Sequence, residues 1–250
     1  MKKTLRALLS LLIVLLVAVA AWLLYLRANS DALWKIVSEQ CVPNQQQRHD
    51  PAPCLEVNLD KRFVVFKDAK GPLHNLVMPT EEITGIESPD VQKPDAPNFF
   101  YYAWQERDRL QQTAGKPIND RYLGLAINSR YGRSQNQLHI HLACLRPDVY
   151  QTLSQQEGHI GNSWQPLGDK LKGHDYLAMK ISANAFEQQS PFKLLHTWVQ
   201  QQGDDMAQYG LAVTTNAQGD IVLLANRLRV TDLNLGTAGE ILDYGCTVGR

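Results

Sequence analysis

The segment GLAINSRYGRSQNQLHIHLACL, residues 124–145, decides the fold that the sequence predicts. Two apolar stretches flank the polar residues 128–136, which is the pattern of a β-hairpin with a long turn. In the second stretch, at 137–145, apolar and polar side chains alternate, so this strand should bury one of its faces. The side chains predicted to face the core are Leu138, Ile140 and Leu142.

The opposite face of this strand carries Gln137, His139 and His141 as an exposed row. A neutral imidazole is abundant near pH 7 and can attack phosphorus without prior activation, while a second ring can carry the proton. Three other interpretations remain open. The pair could belong to a zinc site whose third ligand is not identified, to an ordinary partly exposed sheet, or to a polar network in the core.

A second hairpin pattern, GLAVTTNAQGDIVLLANR at 210–227, repeats the opening Gly-Leu-Ala and the polar turn between two apolar strands. The repetition suggests an internal duplication, with an active half at 30–150 and a degenerate half at 151–250. The second copy has no histidine on its final strand, which favours a sheet extension or a substrate platform. Chance similarity between two ordinary hairpins is the alternative.

The remaining patterns predict an α+β fold in which helices pack on an antiparallel sheet. Further strands are expected at 63–66, 73–78 and 176–181. Helices are expected at 31–40, after an N-cap at Asn98, and from Pro191 onward, with a loop at 41–55.

The N-terminal residues differ from the rest of the chain in charge and hydropathy. The 250 residues include 25 basic and 25 acidic side chains, but residues 28–250 carry 21 basic against 25 acidic, which argues against a nucleic-acid partner. Residues 7–26 contain no charge and are long enough to span a bilayer as one helix. The basic flank at 1–6 then predicts a cytoplasmic N-terminus and an exported domain at 30–250. A cleaved signal peptide is the alternative.

All four cysteines follow the apolar segment, as expected for disulfides in an exported domain. Three pairings are possible, and the favoured one joins Cys41 to Cys54 across a short polar loop and Cys144 to Cys246. Four buried thiols are the alternative. No CxxC pair is present, so the spacing does not fit a zinc ribbon.

The segment around the two histidines resembles the signature of the histidine triad hydrolases and transferases, in which His-x-His-x-His precedes two apolar residues. The stretch FKDAKGPLHNLVMP at 66–79 resembles the upstream strand pair of that family. Over its whole length the chain is similar to the bacterial CDP-diacylglycerol pyrophosphatases, a membrane-anchored group, in segments such as CVPNQQQ, GIESPDV and PNFFYYAWQERD.

The resemblance implies a role for each matching residue. His139 would be the nucleophile that forms a nucleotidyl-histidine, and His141 would bind phosphate and transfer a proton. Gln137 departs from the family because the first triad position is a histidine there, although Gln can still donate or accept a hydrogen bond. The residues implied to contact the substrate or support the triad are Asp68, His74, Asn128, Ser134 and Gln135.

The resemblance also implies the reaction and its setting. The substrate would be CDP-diacylglycerol in the bilayer of a bacterial inner membrane, cleaved to CMP and phosphatidate by a periplasmic domain without a metal or other cofactor. Two alternatives remain: a histidine-triad enzyme acting on a soluble nucleotide, and a CDP-lipid-binding protein without catalysis. The oligomeric state stays open.

Overall fold

The computed structural model describes residues 11–18 and 30–248. The predicted membrane span at 7–26 therefore lies largely outside the described residues, as does the flank at 1–6. Residues 11–18 are helical. Among the described residues no helix combines the length and apolar character needed to cross a membrane. The prediction of a single-pass inner-membrane protein with a periplasmic domain is corrected accordingly.

A single mixed-length antiparallel sheet of ten strands forms the centre of the molecule. Its strands are β1 (Glu56–Asn58), β2 (Phe63–Lys67), β3 (Asn75–Pro79), β4 (Leu123–Ile127), β5 (Ile140–Leu145), β6 (Gln165–Pro166), β7 (Leu177–Ile181), β8 (Tyr209–Thr215), β9 (Ile221–Arg227) and β10 (Leu242–Asp243). The order across the sheet is β1-β2-β3-β5-β4-β8-β9-β7-β6, and β10 pairs with the end of β5. We call the edge at which β4 and β9 end and β5 and β8 begin the upper edge.

Within residues 30–248, six α-helices accompany the sheet. They are α1 (Ala32–Ile36), α2 (Val42–Arg48), α3 (Phe99–Gln105), α4 (Arg107–Ala114), α5 (Pro147–Gln156) and α6 (Pro191–Gln201). The cap predicted at Asn98 is confirmed, since its side chain accepts a hydrogen bond from the Tyr101 amide. The loop predicted at 41–55 is wrong in its first half, because a π turn at Val37–Cys41 joins α1 to α2. Pro43 lies in the first turn of α2.

The two faces of the sheet are covered by different parts of the chain. On one face α3, α4 and α6 pack against the centre of the sheet, with Phe100 and Phe192 fully buried in the main core. On the other face α1 and α2 cover β1 to β3, in a cluster that includes Leu76. Segments at 147–171 and 238–242 cover the same face further along, in a cluster that includes Ala126. The ladder places His141 opposite both of these residues, between the two clusters.

The pairing of β4 with β8 is symmetric with respect to the repeated Gly-Leu-Ala. Ala126 faces Ala212, while Leu125 faces Val213 and Ile127 faces Leu211. The strand order outward from this pair is also the same on both sides, β5-β3-β2 on one and β9-β7-β6 on the other. In each half a helical segment follows the second of these strands, since α3 and α4 follow β3 and α6 follows β7. This two-fold arrangement supports the proposal of an internal duplication.

Two disulfide bonds confirm the favoured cysteine pairing. Cys41–Cys54 joins the π turn before α2 to the chain before β1, and Cys144–Cys246 joins β5 to the C-terminal segment. The second bridge spans a sequence separation of 102 residues, so it fixes the C-terminal segment beside the strand that carries His141.

Candidate active site

The strand predicted at 137–145 begins at Ile140, and residues 137–139 enter it as an irregular segment. The Leu138 amide donates to the carbonyl of Ile83 at 2.6 Å, so this segment is held by the loop after β3. The prediction of an exposed histidine row is wrong: His139 is 6% exposed and His141 is 4% exposed. The face is buried because the N-terminal helices and the segments after β5 cover it on either side.

The ring of His139 has a defined tautomer. Its Nδ1 lies 2.6 Å from the main-chain oxygen of Gln137. A carbonyl oxygen only accepts hydrogen bonds, so Nδ1 carries the proton and Nε2 keeps its lone pair. Burial lowers the pKa of His139 to about 4, although the bond to Gln137 opposes this shift. The ring is therefore neutral at pH 7, with its lone pair on one identified atom.

His141 belongs to a chain of side chains that runs across β5 and β3. His141 Nδ1 and His74 Nε2 lie 2.8 Å apart, and both residues are buried. On the far side, His74 Nδ1 lies 3.6 Å from a carboxylate oxygen of Asp68, which is an ion-pair distance. Burial raises the pKa of Asp68, but the contact with His74 and a hydrogen bond from the Lys70 amide outweigh it and hold that pKa well below its usual range. The sequence prediction of Asp68 and His74 beside the histidines thus corresponds to a connected group.

The free end of this group is the outer nitrogen of His141. Nε2 of His141 is buried and makes no hydrogen bond to the described residues. Burial lowers the pKa of His141 well below its ordinary value, and the neighbouring rings of His139 and His74 add to this shift. The rings of His139 and His141 meet edge to face with their centroids 5.0 Å apart. Two neutral imidazoles therefore lie side by side at the beginning of β5.

Tyr244 is a site residue that the sequence analysis did not identify. Its ring stacks on His74 with centroids 3.8 Å apart and planes within 6° of parallel. The main chain of Tyr244 accepts a hydrogen bond from the Leu73 amide and crosses directly over Gly71. A Cβ atom at Gly71 would lie 2.5 Å from the Cβ of Tyr244, so this crossing requires glycine. The neighbouring Cys246 fixes the segment, and its disulfide was the only sequence signal near Tyr244.

The side chain of Gln137 is directed away from the imidazoles. Its amide group donates to the main-chain oxygens of Pro79 and Glu81, at 3.1 and 2.9 Å. Its side-chain oxygen lies 3.4 Å from the Ile83 amide. Gln137 therefore supports His139 through its main chain and the loop after β3 through its side chain.

The polar residues predicted to hold phosphate occupy three different environments. Asn128 is half-buried, and its side-chain oxygen accepts a hydrogen bond from the Gly239 amide. Gln135 accepts a hydrogen bond from the Leu33 amide at the start of α1. Ser134 is exposed. The first two residues thus attach distant segments to the loop before His139, and Ser134 lies on the surface of that loop.

Arg133 in the same loop forms an ion pair that sequence reasoning also missed. Its guanidinium makes two contacts with the Glu87 carboxylate, at 2.6 and 2.7 Å, and its side chain is only 7% exposed. The positive charges of Lys70 and Arg133 contribute to the lowered pKa of His139, so their potential reaches the ring. The pair joins the loop before His139 to the loop after β3 close to the candidate nucleophile.

The second half of the sheet has no imidazole at the corresponding positions. In the ladder, Leu224 faces Ala212 just as His141 faces Ala126, and Tyr176 takes the place of His74. Tyr176 donates a hydrogen bond to Glu240 at 2.8 Å. Over residues 11–18 and 30–248, no group of three or more His, Cys, Asp or Glu side chains is placed to hold a metal ion.

Comparisons with known proteins bear on this geometry. The model of the family described as CDP-diacylglycerol pyrophosphatase matches residues 28–250. Among solved structures, the chain is similar to one titled "Hnt3 in complex with DNA and guanosine", with 14% identity and a TM-score of 0.32. That match covers 46% of this chain and 60% of the other. A likeness of this extent establishes neither fold nor function.

Proposed function

Because this chain belongs to the CDP-diacylglycerol pyrophosphatase family, we propose that it cleaves the pyrophosphate bond of its substrate through a covalent intermediate on His139. The family is one of hydrolases that act on the pyrophosphate bond of CDP-diacylglycerol. The tautomer of His139 carries the proposal, since its Nδ1 proton is held by a main-chain oxygen and Nε2 keeps a lone pair.

In the first step, Nε2 of His139 attacks the phosphorus attached to cytidine. The new bond joins Nε2 to phosphorus, the bond from that phosphorus to the bridging oxygen breaks, and phosphatidate leaves. In the second step, water attacks the same phosphorus and releases CMP with the Nε2 lone pair restored. Two displacements through a nucleophile replace one difficult displacement by water. The lowered pKa keeps the lone pair of His139 available over the whole neutral range.

His141 would act in proton transfer at the reacting phosphate. A proton on His74 Nδ1 would face the Asp68 carboxylate, 3.6 Å away, and His74 Nε2 would then accept a hydrogen bond from His141 Nδ1. His141 Nε2 would then carry a lone pair beside the reaction centre. In the second step it can take a proton from the attacking water and then release that proton to the CMP phosphate or to solvent, while the anionic Asp68 stabilises the positive charge on the intervening rings.

This assignment supports a histidine-triad-like site in which only two positions of the triad are histidines. The hairpin that carries His139 and His141, the upstream strand pair with Asp68 and His74, and the helices between them occur in the order implied by the family resemblance. Arg133 and Lys70 supply positive potential for a pyrophosphate, although the residues after position 27 carry a net negative charge.

The test follows a cytidine-labelled CDP-diacylglycerol through one turnover. Wild-type protein, quenched with base within the first turnover, should carry the cytidine label covalently, since phosphohistidine bonds are labile in acid. His139→Ala should release no CMP and trap no label. The matched control is His159→Ala, because this histidine is exposed and lies outside the site. CMP release by His139→Ala at a near-normal rate would refute the mechanism. Tight binding of the CDP-lipid without CMP release by the wild type would instead indicate a binding protein.

A further inference from the structure

The exposed apolar side chains of this protein are concentrated in one place. Within residues 30–248, the large apolar side chains that are exposed are Leu55, Leu59, Tyr131, Val230, Leu233 and Leu235. Four of these six lie in two loops, at 129–133 and 229–237. Leu233 is 86% exposed and Val230 is 73% exposed, which is unusual for side chains of this size. We call the four residues Tyr131, Val230, Leu233 and Leu235 the apolar tip.

The two loops of the apolar tip form one structural unit. The Ser129 amide donates to the main-chain oxygen of Gly236 at 2.9 Å, and the Ser129 hydroxyl donates to that of Leu235. A Cβ atom at Gly132 would lie 2.5 Å from the Thr237 hydroxyl, so the loops are also in close contact there. The two loops that carry the apolar tip are therefore in direct contact.

The second loop exposes its side chains through a backbone conformation that is unfavourable at one residue. Reciprocal hydrogen bonds between Arg229 and Asn234 close the loop at 2.8 and 3.1 Å. Leu233 has φ of 54°, in the left-handed region that leucine rarely adopts. Asn or Gly would relieve this conformation, and a polar residue would suit the exposure. A strained and exposed leucine at a loop tip indicates that this side chain contacts another molecule.

The apolar tip lies on the same edge of the sheet as the candidate nucleophile. The loop at 129–133 follows β4 and the loop at 229–237 follows β9, and both strands end at the upper edge. His139 immediately precedes β5 at that edge. Three strand spacings separate β5 from β9, which corresponds to about 14 Å along the edge. The acyl chains of a diacylglycerol extend further than this from its phosphate.

The charges beside the apolar tip are balanced by neighbours. Asp232 is the one acidic residue within Val230–Leu233, and its carboxylate lies 3.4 Å from the Arg229 guanidinium. The same guanidinium contacts Asp175 at 2.9 Å. Arg130 is exposed next to Tyr131. The charge of Asp232 is thus partly compensated, and an extra cation adjoins the apolar side chains.

We propose that the apolar tip inserts into the hydrocarbon of the lipid aggregate that contains the substrate, and so directs the pyrophosphate toward His139. The inference rests on the proposed function, because only a substrate with acyl chains gives this surface a partner. Transfer of aromatic and aliphatic side chains at a loop tip from water into lipid lowers the free energy of the system. A basic neighbour such as Arg130 favours an anionic lipid surface.

A probe placed in the loop tests this contact in the full-length protein. All four cysteines are in disulfides, so Leu233→Cys provides a single thiol for an environment-sensitive fluorophore. Vesicles of phosphatidylethanolamine and phosphatidylglycerol should shift its emission to the blue. The matched control is Leu55→Cys, an exposed leucine outside the apolar tip, whose emission should not change. An unchanged Leu233 probe would overturn the proposal. A shift without vesicles that grows with protein concentration would also overturn it, in favour of a second copy of the chain.

A kinetic comparison separates this inference from the proposed function. The double variant Val230→Asp/Leu233→Asp should lower kcat/KM for long-chain CDP-diacylglycerol in mixed micelles by about tenfold or more. It should keep kcat/KM within about twofold for a short-chain analogue that dissolves as monomers, since the site is unchanged. Equal losses on both substrates would refute the lipid contact and leave the proposed function intact. If the wild type cleaves neither substrate, the proposed function itself fails.

Discussion

The buried position of His139 predicts a specific loss of stability in acid. Burial lowers the pKa of this imidazole from its ordinary 6.5 to about 4 in the folded protein. In the unfolded chain the ring is in water and its pKa returns to the ordinary value. Between these two pH values the unfolded state binds a proton that the folded state does not. The free energy of unfolding is therefore fully retained above about pH 6.5 and decreases as the pH falls toward 4.

The size of the effect follows from the two pKa values. Linkage of one proton over this interval predicts that the His139 contribution falls by about 2.5 kcal/mol between pH 7.5 and pH 4.5. Urea unfolding followed by tryptophan fluorescence would measure this loss at a series of pH values. In His139→Gln the side chain at position 139 is neutral at every pH. Between pH 7.5 and pH 4.5 the free energy of unfolding of this variant should therefore fall by about 2.5 kcal/mol less than that of the wild type. The buried His141 titrates in both proteins, and its contribution largely cancels in the comparison.

The control for this measurement is His159→Gln, because His159 is exposed. Its pH dependence should follow that of the wild type. Parallel pH dependence in wild type and His139→Gln would refute the reasoning, because it would mean that the His139 ring takes up its proton at the same pH in the folded and unfolded states. A lower stability of His139→Gln at every pH would not, since the argument concerns only the change with pH.

Two further predictions concern the C-terminal segment. Replacing Cys144 and Cys246 together by Ala should lower the free energy of unfolding by about 4.7 kcal/mol, because the bridge closes a loop of about 100 residues. Denaturant titration would measure this loss, and a loss of less than about 1 kcal/mol would contradict the prediction. Tyr244→Leu should reduce kcat roughly two- to tenfold in steady-state assays, because the stack on His74 is worth about 0.5–1.5 kcal/mol. Tyr244→Phe keeps the ring and should stay near wild type, and an equal loss there would implicate the hydroxyl.

Features with a local cause were predictable from the sequence. The hairpin at 124–145 follows from two apolar stretches around a polar turn, and the N-cap at Asn98 follows from the chemistry of its side chain. The cysteine pairing was predictable because Cys41 and Cys54 flank a short polar loop. The two remaining cysteines, Cys144 and Cys246, then form the second bridge. In each case the residues that determine the structure lie within or close to the element itself.

Features that depend on distant segments were not predictable in this way. The histidines are buried because helices at 32–48 and segments after position 146 cover their face, and alternation along one strand cannot indicate a cover. The strand starts late because the Leu138 amide bonds to the Ile83 carbonyl instead of to a neighbouring strand. Tyr244 reaches His74 only through a disulfide and a crossing over Gly71, so no motif around position 244 could have identified it.

Under the proposed mechanism, Gln137 can stand at the position expected to hold a histidine without loss of function. His139 Nδ1 donates the hydrogen bond that fixes its tautomer to the main-chain oxygen of residue 137, an acceptor that any amino acid supplies. The side chain is free for another purpose, and here it bonds to the main chain of Pro79 and Glu81 in the loop after β3. Gln suits that purpose because its amide is never charged and both its donor and its acceptor face buried main-chain groups. The glutamine at this position therefore determines how the neighbouring loop is held, while the proposed nucleophile keeps its lone pair.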